Sequence, residues 1–283
     1  MPVLPELRRH GCTVWIVSPT GYIHSRCFDE VALALREGLE ALDAPATIAH
    51  DRSEISGVPI VLGAHLLRPD EIIPGESIVY NLEQIESASN LVSHDYLERL
   101  RNHRILDYSA LNLAALERRG LSATLCTIGY SRALERIEPV AERDIDVLFI
   151  GSGGDRRHAI LDRLRERGAN VVFAFGVYGQ ERDQLIARAR IVLNIHYYAT
   201  AIFEIVRVSY LLANRVCVVS ETGADQALEQ PFRDGVAFAG YERLVETCER
   251  LLADDQERAR LAEAGYEAIR RMPQAEALAG ALG

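Results

Sequence analysis

The chain has 283 residues, enough to bury a sizeable core and, by length, to form about two domains. Hydrophobic residues at 48% and charged residues at 25% are ordinary for a globular protein, and a net charge of -10 excludes a sequence-independent grip on nucleic acid or anionic membrane. All 31 basic residues are arginine, which excludes a Schiff-base lysine and a lysine-bearing phosphate loop, so an anion site must use arginine, backbone N–H groups or neutral donors.

The first half alternates strand and helix. Residues up to His10 read as a loose lead-in, and 12–17 as the first strand, emptying into the polar loop 18–26. Apolar residues at Val31, Leu35, Leu39 and Leu42 then have helical spacing. Further strands are expected at 46–49, 60–65, 77–81 and 104–107, and helices at 94–101 and 110–119, the latter capped by Ser109 and stopped by Gly120. The cysteines (Cys12, Cys27, Cys126, Cys217, Cys248) are scattered without a C-x-x-C pair, which fits reduced thiols better than a disulfide frame or zinc site. With no leader and no apolar run near the ~20 residues that span a bilayer, the expected location is the cytoplasm or the periphery of the inner membrane.

The charged stretch 134–143 carries Pro139 and little periodicity, so the boundary is expected there, giving domains 1–138 and 139–283. From Asp146 to Glu221 four short apolar runs, 146–151, 170–176, 190–196 and 216–221, alternate with helical patterns. That predicts a parallel sheet covered on both faces, with ligands bound beyond the carboxyl ends of its strands. Gly151-Ser152, the 176–179 loop with Tyr178, the run 194–198 and Ser220-Glu221 would share that rim. A strand at 235–239 and helices at 241–252 and 256–272 follow, and the Ala/Gly-rich tail after Pro273 is expected to fray.

The loop Gly151-Ser-Gly-Gly-Asp-Arg156 fails as a dinucleotide fingerprint: Arg156 replaces the third glycine, and no acidic residue ends the second strand. A glycine loop entering a helix remains, where free N–H groups and the dipole attract phosphate and Arg156 and Arg157 add donors. The plain alternative is a tight turn with solvated arginines. Asp144-x-Asp146 matches a metal-binding pattern of sugar transferases but precedes a strand, at the far end from the rim, so no metal is expected. Asn194 and His196 point to one side of their strand. Glu204, Arg207 and Leu211 share a helix face; Glu204 either pairs with Arg207 or accepts hydrogen bonds from sugar hydroxyls. In the first half, His24 lies in the first loop, where an imidazole could take a proton from an attacking hydroxyl; Asn81 and Glu83 are weaker candidates for acceptor contacts or the base.

From Asp146 to about Met272 the sequence resembles the donor domain of GT-B-fold glycosyltransferases, most nearly a bacterial group 1-like branch related to CgeB-type proteins. The resemblance is carried by 150–152 with Arg156-Arg157, 175–183, 191–198, 203–213 and 218–221. It implies two Rossmann-like domains facing across a cleft, with a nucleoside diphosphate sugar as co-substrate, no other cofactor and no metal. It also implies that Ser152 with Arg156 or Arg157 approaches the diphosphate, that 176–179 flanks the base, and that the helix near Glu204 reaches ribose or sugar. Many relatives carry a second glutamate eight positions on, where Ser209-Tyr210 stand in this chain. The expected function is transfer of a hexose-like sugar to a glycan, lipid, protein or small-molecule acceptor hydroxyl held by the first domain. A sugar-nucleotide epimerase or hydrolase, and a non-catalytic sugar-nucleotide-binding module, stay open.

Overall fold

A computed structural model, which describes residues 3–86, 92–197 and 202–283, arranges the apolar runs as two parallel sheets. Contacts divide the chain into Leu134–Arg271 and a second unit that joins Met1–Ala133 to Met272–Gly283. The last twelve residues therefore return to the first unit instead of staying with the second.

In the first unit the strands are β1 (Cys12–Ile16), β2 (Ala46–Ala49), β3 (Val58–Leu62), β4 (Ile78–Asn81), β5 (Arg104–Asp107) and β6 (Ala123–Leu125), in the order β2-β1-β3-β4-β5-β6. The helices between them are α1 (Leu4–His10), α2 (Asp29–Glu40), α3 (His94–Leu100) and α4 (Ala110–Glu117). Ser93 and Ser109 cap α3 and α4 by accepting from Tyr96 N and Asn112 N. The two termini differ from expectation. The lead-in is helical because Leu4 and Leu7 find a core. The tail forms the helix Gln274–Leu282, which buries Leu278, Ala281 and Leu282 against α2. Val3 N donates to Leu282 O at 2.8 Å, so each end holds the other.

The second unit runs β7 (Ile145–Ile150), α5 (Asp155–Glu166), β8 (Val171–Ala174), α6 (Gly179–Arg188), β9 (Ala189–Asn194), α7 (Ile205–Ala213), β10 (Val218–Glu221), α8 (Gln226–Glu229), β11 (Val236–Ala239), α9 (Leu244–Leu252) and α10 (Asp255–Arg270). Its sheet order is β11-β10-β9-β7-β8. Val147, Phe149, Ile191, Leu193 and Val219 pack with Ile160, Leu164, Leu244 and Leu251 from the covering helices, which is why these strands read as unbroken apolar runs. Both units therefore follow the doubly wound order 2-1-3-4-5, the first with one strand added. In this order the direction of winding reverses between the first and third strands, and a crevice opens there at the carboxyl ends. That point is β1/β3 in the first unit and β7/β9 in the second. Among the described residues no helix is long and apolar enough to cross a membrane.

Candidate functional site

The loop after β7 turns at Gly151 (φ 146°) and Gly154 (φ 149°), values that L side chains rarely adopt. It feeds α5, whose first turn is uncapped by any side chain and leaves backbone donors at the positive end of the dipole. From that turn Arg157 reaches back across the β7/β9 crevice. Its Nε donates to Ile195 O at 3.0 Å, and its Nη1 to Ser152 O and Oγ at 2.9 and 3.1 Å. The guanidinium also lies 5.1 Å from the ring centres of Phe149 and Tyr197. Burial, and then the charge of Arg207, lower the Arg157 pKa to about 10, so it remains cationic at neutral pH. Arg207 approaches the same loop from α7 and donates to Asn194 Oδ1 at 3.3 Å. Neither arginine forms an ion pair with a carboxylate among the described residues.

Behind this pair lies a second layer. Glu204, at the N-cap position of α7, spans His196 Nδ1 at 2.8 and 3.0 Å and accepts from Asn194 Nδ2 at 2.8 Å. Asn194 Nδ2 also donates to Ser220 Oγ at 3.0 Å. His196 is fully buried and its Nε2 has no hydrogen-bond partner. Burial opposes a charge on this ring, but the hydrogen bond and charge of Glu204 outweigh it, and the pKa is raised. For Glu204 burial likewise pushes up, while His196, Arg207 and Asn194 hold the carboxyl below its ordinary value.

The expected residues fall into distinct groups. Ser152, Arg157, Asn194, His196, Glu204 and Arg207 are brought into one network. Arg156 is beside it but engaged: it pairs with Glu221, donates to His196 O at 3.1 Å and lies 4.0 Å over Tyr241. Among the described residues Glu204 and Arg207 make no ion-pair contact; each bonds to Asn194, and the charge of Arg207 still helps to lower the Glu204 carboxyl. Tyr178 is at the N-cap position of α6, beyond β8. Tyr198 lies outside the described residues. Asp144 and Asp146 sit at the opposite end of β7, paired with Arg188 at 2.5 Å and Arg190 at 2.9 Å.

The first-unit candidates have other neighbours. His24 belongs to the 3-10 turn Ile23–Phe28 after β1, its ring edge-on to Tyr22 at 5.3 Å. Asn81 is buried and holds structure together, donating to Asp107 Oδ2 at 2.6 Å and accepting from Tyr96 OH at 2.7 Å. Glu83 lies 3.5 Å from His65 Nε2, and burial raises its pKa to about 7. Glu221 and Tyr241 were not singled out from sequence as binding residues, although Glu221 sits at the end of β10 on the expected rim.

Comparison with known proteins adds the family. The glycosyl transferase-like family matches residues 132–281, more than half of the chain. The chain belongs to that family. A relative, the uncharacterized protein L140 of Acanthamoeba polyphaga mimivirus, is 27% identical over 187 residues, and the match spans 62% of this chain but only 59% of L140. WaaG, a glycosyltransferase of lipopolysaccharide biosynthesis, shares the fold with TM-score 0.57 at 10% identity, covering 96% of this chain and 99% of WaaG. The T4 phage enzyme BGT, solved in complex with its UDP-glucose substrate, matches at TM-score 0.55 and 10% identity over 94% and 96% of the two chains. Two Rossmann-like units of parallel α/β topology, as in these GT-B glycosyltransferases, are thus the fold of this family member. Its site offers two guanidinium groups at a glycine loop, neither in ion-pair contact with a carboxylate among the described residues, and a buried Glu–His–Asn brace behind them whose Glu204 charge acts on both, a combination suited to holding an anion in a fixed position.

Proposed function

We propose that the protein transfers a sugar from a nucleoside diphosphate sugar to an acceptor hydroxyl without a metal ion. The observation that carries this reading is the convergence of Arg157 and Arg207, neither in ion-pair contact with a carboxylate among the described residues, on the glycine loop that enters the uncapped turn of α5 at the β7/β9 switch point. In this reaction the acceptor oxygen attacks the anomeric carbon. The bond from that carbon to the phosphate oxygen breaks, and the diphosphate leaves with the electron pair. Two arginines and a helix dipole stabilise the charge that grows there, doing the work a cation would otherwise do. The acceptor proton goes to a base on the acceptor side, for which His24 is the proposed residue. Family membership supports sugar transfer, and the UDP-glucose of the phage enzyme supports a nucleoside diphosphate donor, a hexose being the proposed sugar. The proposed location is the cytoplasm.

Thermal denaturation with UDP and with UDP-hexoses tests the donor half. Binding raises stability by RT ln(1 + [L]/Kd), about 2.7 kcal/mol at a hundredfold excess over Kd. Arg157→Ala should weaken UDP binding by about tenfold or more, the cost of a charge-assisted hydrogen bond. A wild-type melting curve unmoved by every nucleotide, or an Arg157→Ala variant that binds as tightly as wild type, would overturn the reading. Labelled transfer to an acceptor panel then separates transfer from hydrolysis, epimerisation or binding alone.

A further inference from the structure

The first unit has a depression of its own beyond the carboxyl ends of β1 and β2, and the structure shows what lines it. Ser18, at the end of β1, together with Gly21, Tyr22, Arg26, Asp29 and His50, surrounds an open depression contained within that unit. Ser18 Oγ lies 3.2 Å from His50 Nδ1, and His50 Nε2 lies 3.9 Å from Asp29 Oδ1. Arg26 Nε donates to Asp29 Oδ2 at 3.3 Å, so the one guanidinium in the lining is already balanced by a carboxylate. Tyr22 is 41% exposed and Ile23, beside it, 50% exposed.

We propose that this depression seats a sugar of a glycan acceptor, with Tyr22 against the apolar face of the ring and Ser18 and His50 bonded to its hydroxyls. The inference rests on the transferase reading above and names its acceptor class. Three properties favour a neutral sugar. An anion would meet the Asp29 carboxylate and find Arg26 already paired. A lipid chain would shut out the water that meets the remaining hydrogen-bonding capacity of Ser18, His50 and Asp29, at a cost of about 1–3 kcal/mol for each polar group so buried. A pyranose presents both a C–H face, which carries partial positive charge and suits the negative face of an aromatic ring, and hydroxyls that donate and accept at once, as the Ser18–His50 couple requires. The seat lies beyond the carboxyl ends of the strands, the end of a doubly wound sheet at which ligands bind. His24 does not line this seat; its ring stands edge-on to Tyr22 at 5.3 Å, in contact with a residue that does.

The test is saturation-transfer difference NMR on the full chain with methyl glycosides of glucose, galactose, mannose and N-acetylglucosamine, without nucleotide. At least one glycoside should receive saturation, strongest on ring C–H protons. Tyr22→Ala should reduce that signal at least fivefold, Tyr22→Phe should keep it, and His50→Ala should shift the transfer pattern or weaken it. Melting shifts with UDP, measured on the same variants, should match wild type. No transfer to any glycoside, or transfer that survives Tyr22→Ala and His50→Ala unchanged, overturns this inference while an intact UDP shift leaves the donor reading standing. Glycoside transfer without any UDP shift would do the reverse.

Discussion

His196 shows how the second unit fixes its site one residue at a time. A buried imidazole would normally be neutral, yet Glu204 lies against Nδ1 and the charge of Glu221 adds to the pull, while Arg156 opposes it. The folded-state pKa is therefore above its usual 6.5, so the stabilisation from this group is complete below pH 6.5 and is lost as pH rises through the folded value. Glu204 is displaced the other way: its contribution is present above its usual 4.5 and is lost as pH falls through the lower folded value. The pair is thus strongest in mildly acidic solution. Glu204→Gln removes the partner of a buried cation and should cost about 3–5 kcal/mol near pH 6. It should also flatten the decline of melting temperature above pH 6.5, as the histidine with its raised pKa gives up its proton. A variant that melts like wild type and keeps the same slope would remove the ion pair from the account. Position at the strand end puts Asn194 and His196 on the rim, and position at the helix start adds Glu204, with Arg207 on the same helix face. What each side chain spends its hydrogen bonds on was not legible, because the deciding partners are distant: Glu221 is 65 positions from Arg156 and takes the guanidinium that the sequence assigns to phosphate.

Elements were readable where they carry their own signal. Alternating apolar runs, serine caps and stop glycines predicted nearly every strand and the helices between them, because these features act over a few residues. The two termini were not readable, since their order comes from a surface supplied by a distant part of the chain. Gly38, on α2, faces the C-terminal helix so closely that a Cβ there would stand 2.9 Å from Leu278 Cδ1, 3.1 Å from Ala275 N and 3.3 Å from the Gln274 carbonyl carbon. The methyl group can displace a leucine tip but not two backbone atoms of a packed helix. Gly38→Ala gains about 1 kcal/mol of helix propensity and should lose more, about 1–3 kcal/mol, to overpacking. The net change in urea unfolding should therefore be destabilising. Gly240→Ala is the comparison, since nothing lies within 4 Å of its added Cβ and its φ is -64°. It should unfold within ~0.5 kcal/mol of wild type. Equal behaviour of the two variants would mean that the tail helix yields at little cost.

At the scale of the molecule, the same strand order occurs twice, and each copy places polar residues where its winding reverses. The two copies differ in charge. The second unit presents Arg157 and Arg207 with no carboxylate in ion-pair contact among the described residues, whereas the polar groups of the first are paired among themselves, Arg26 with Asp29 and Glu83 beside His65. A diphosphate should therefore choose between two similar crevices on electrostatic grounds, and hydrogen exchange can report the choice without an activity assay. Saturating UDP should slow exchange at 151–157, at 194–197 and at the start of α7, because a ligand that binds only the folded state adds its binding free energy to the cost of local opening there. Amides at 18–28, 63–66 and 81–86, around the carboxyl ends of β1, β3 and β4, should exchange as they do in the free protein. The outcome separates two physical causes of ligand selection. If topology alone sets the binding place, both crevices should respond; if unpaired guanidinium charge sets it, only the second should, and Arg157→Ala should erase the response there. Protection confined to the first unit would show that neither the arginine pair nor the uncapped turn of α5 governs where the nucleotide goes.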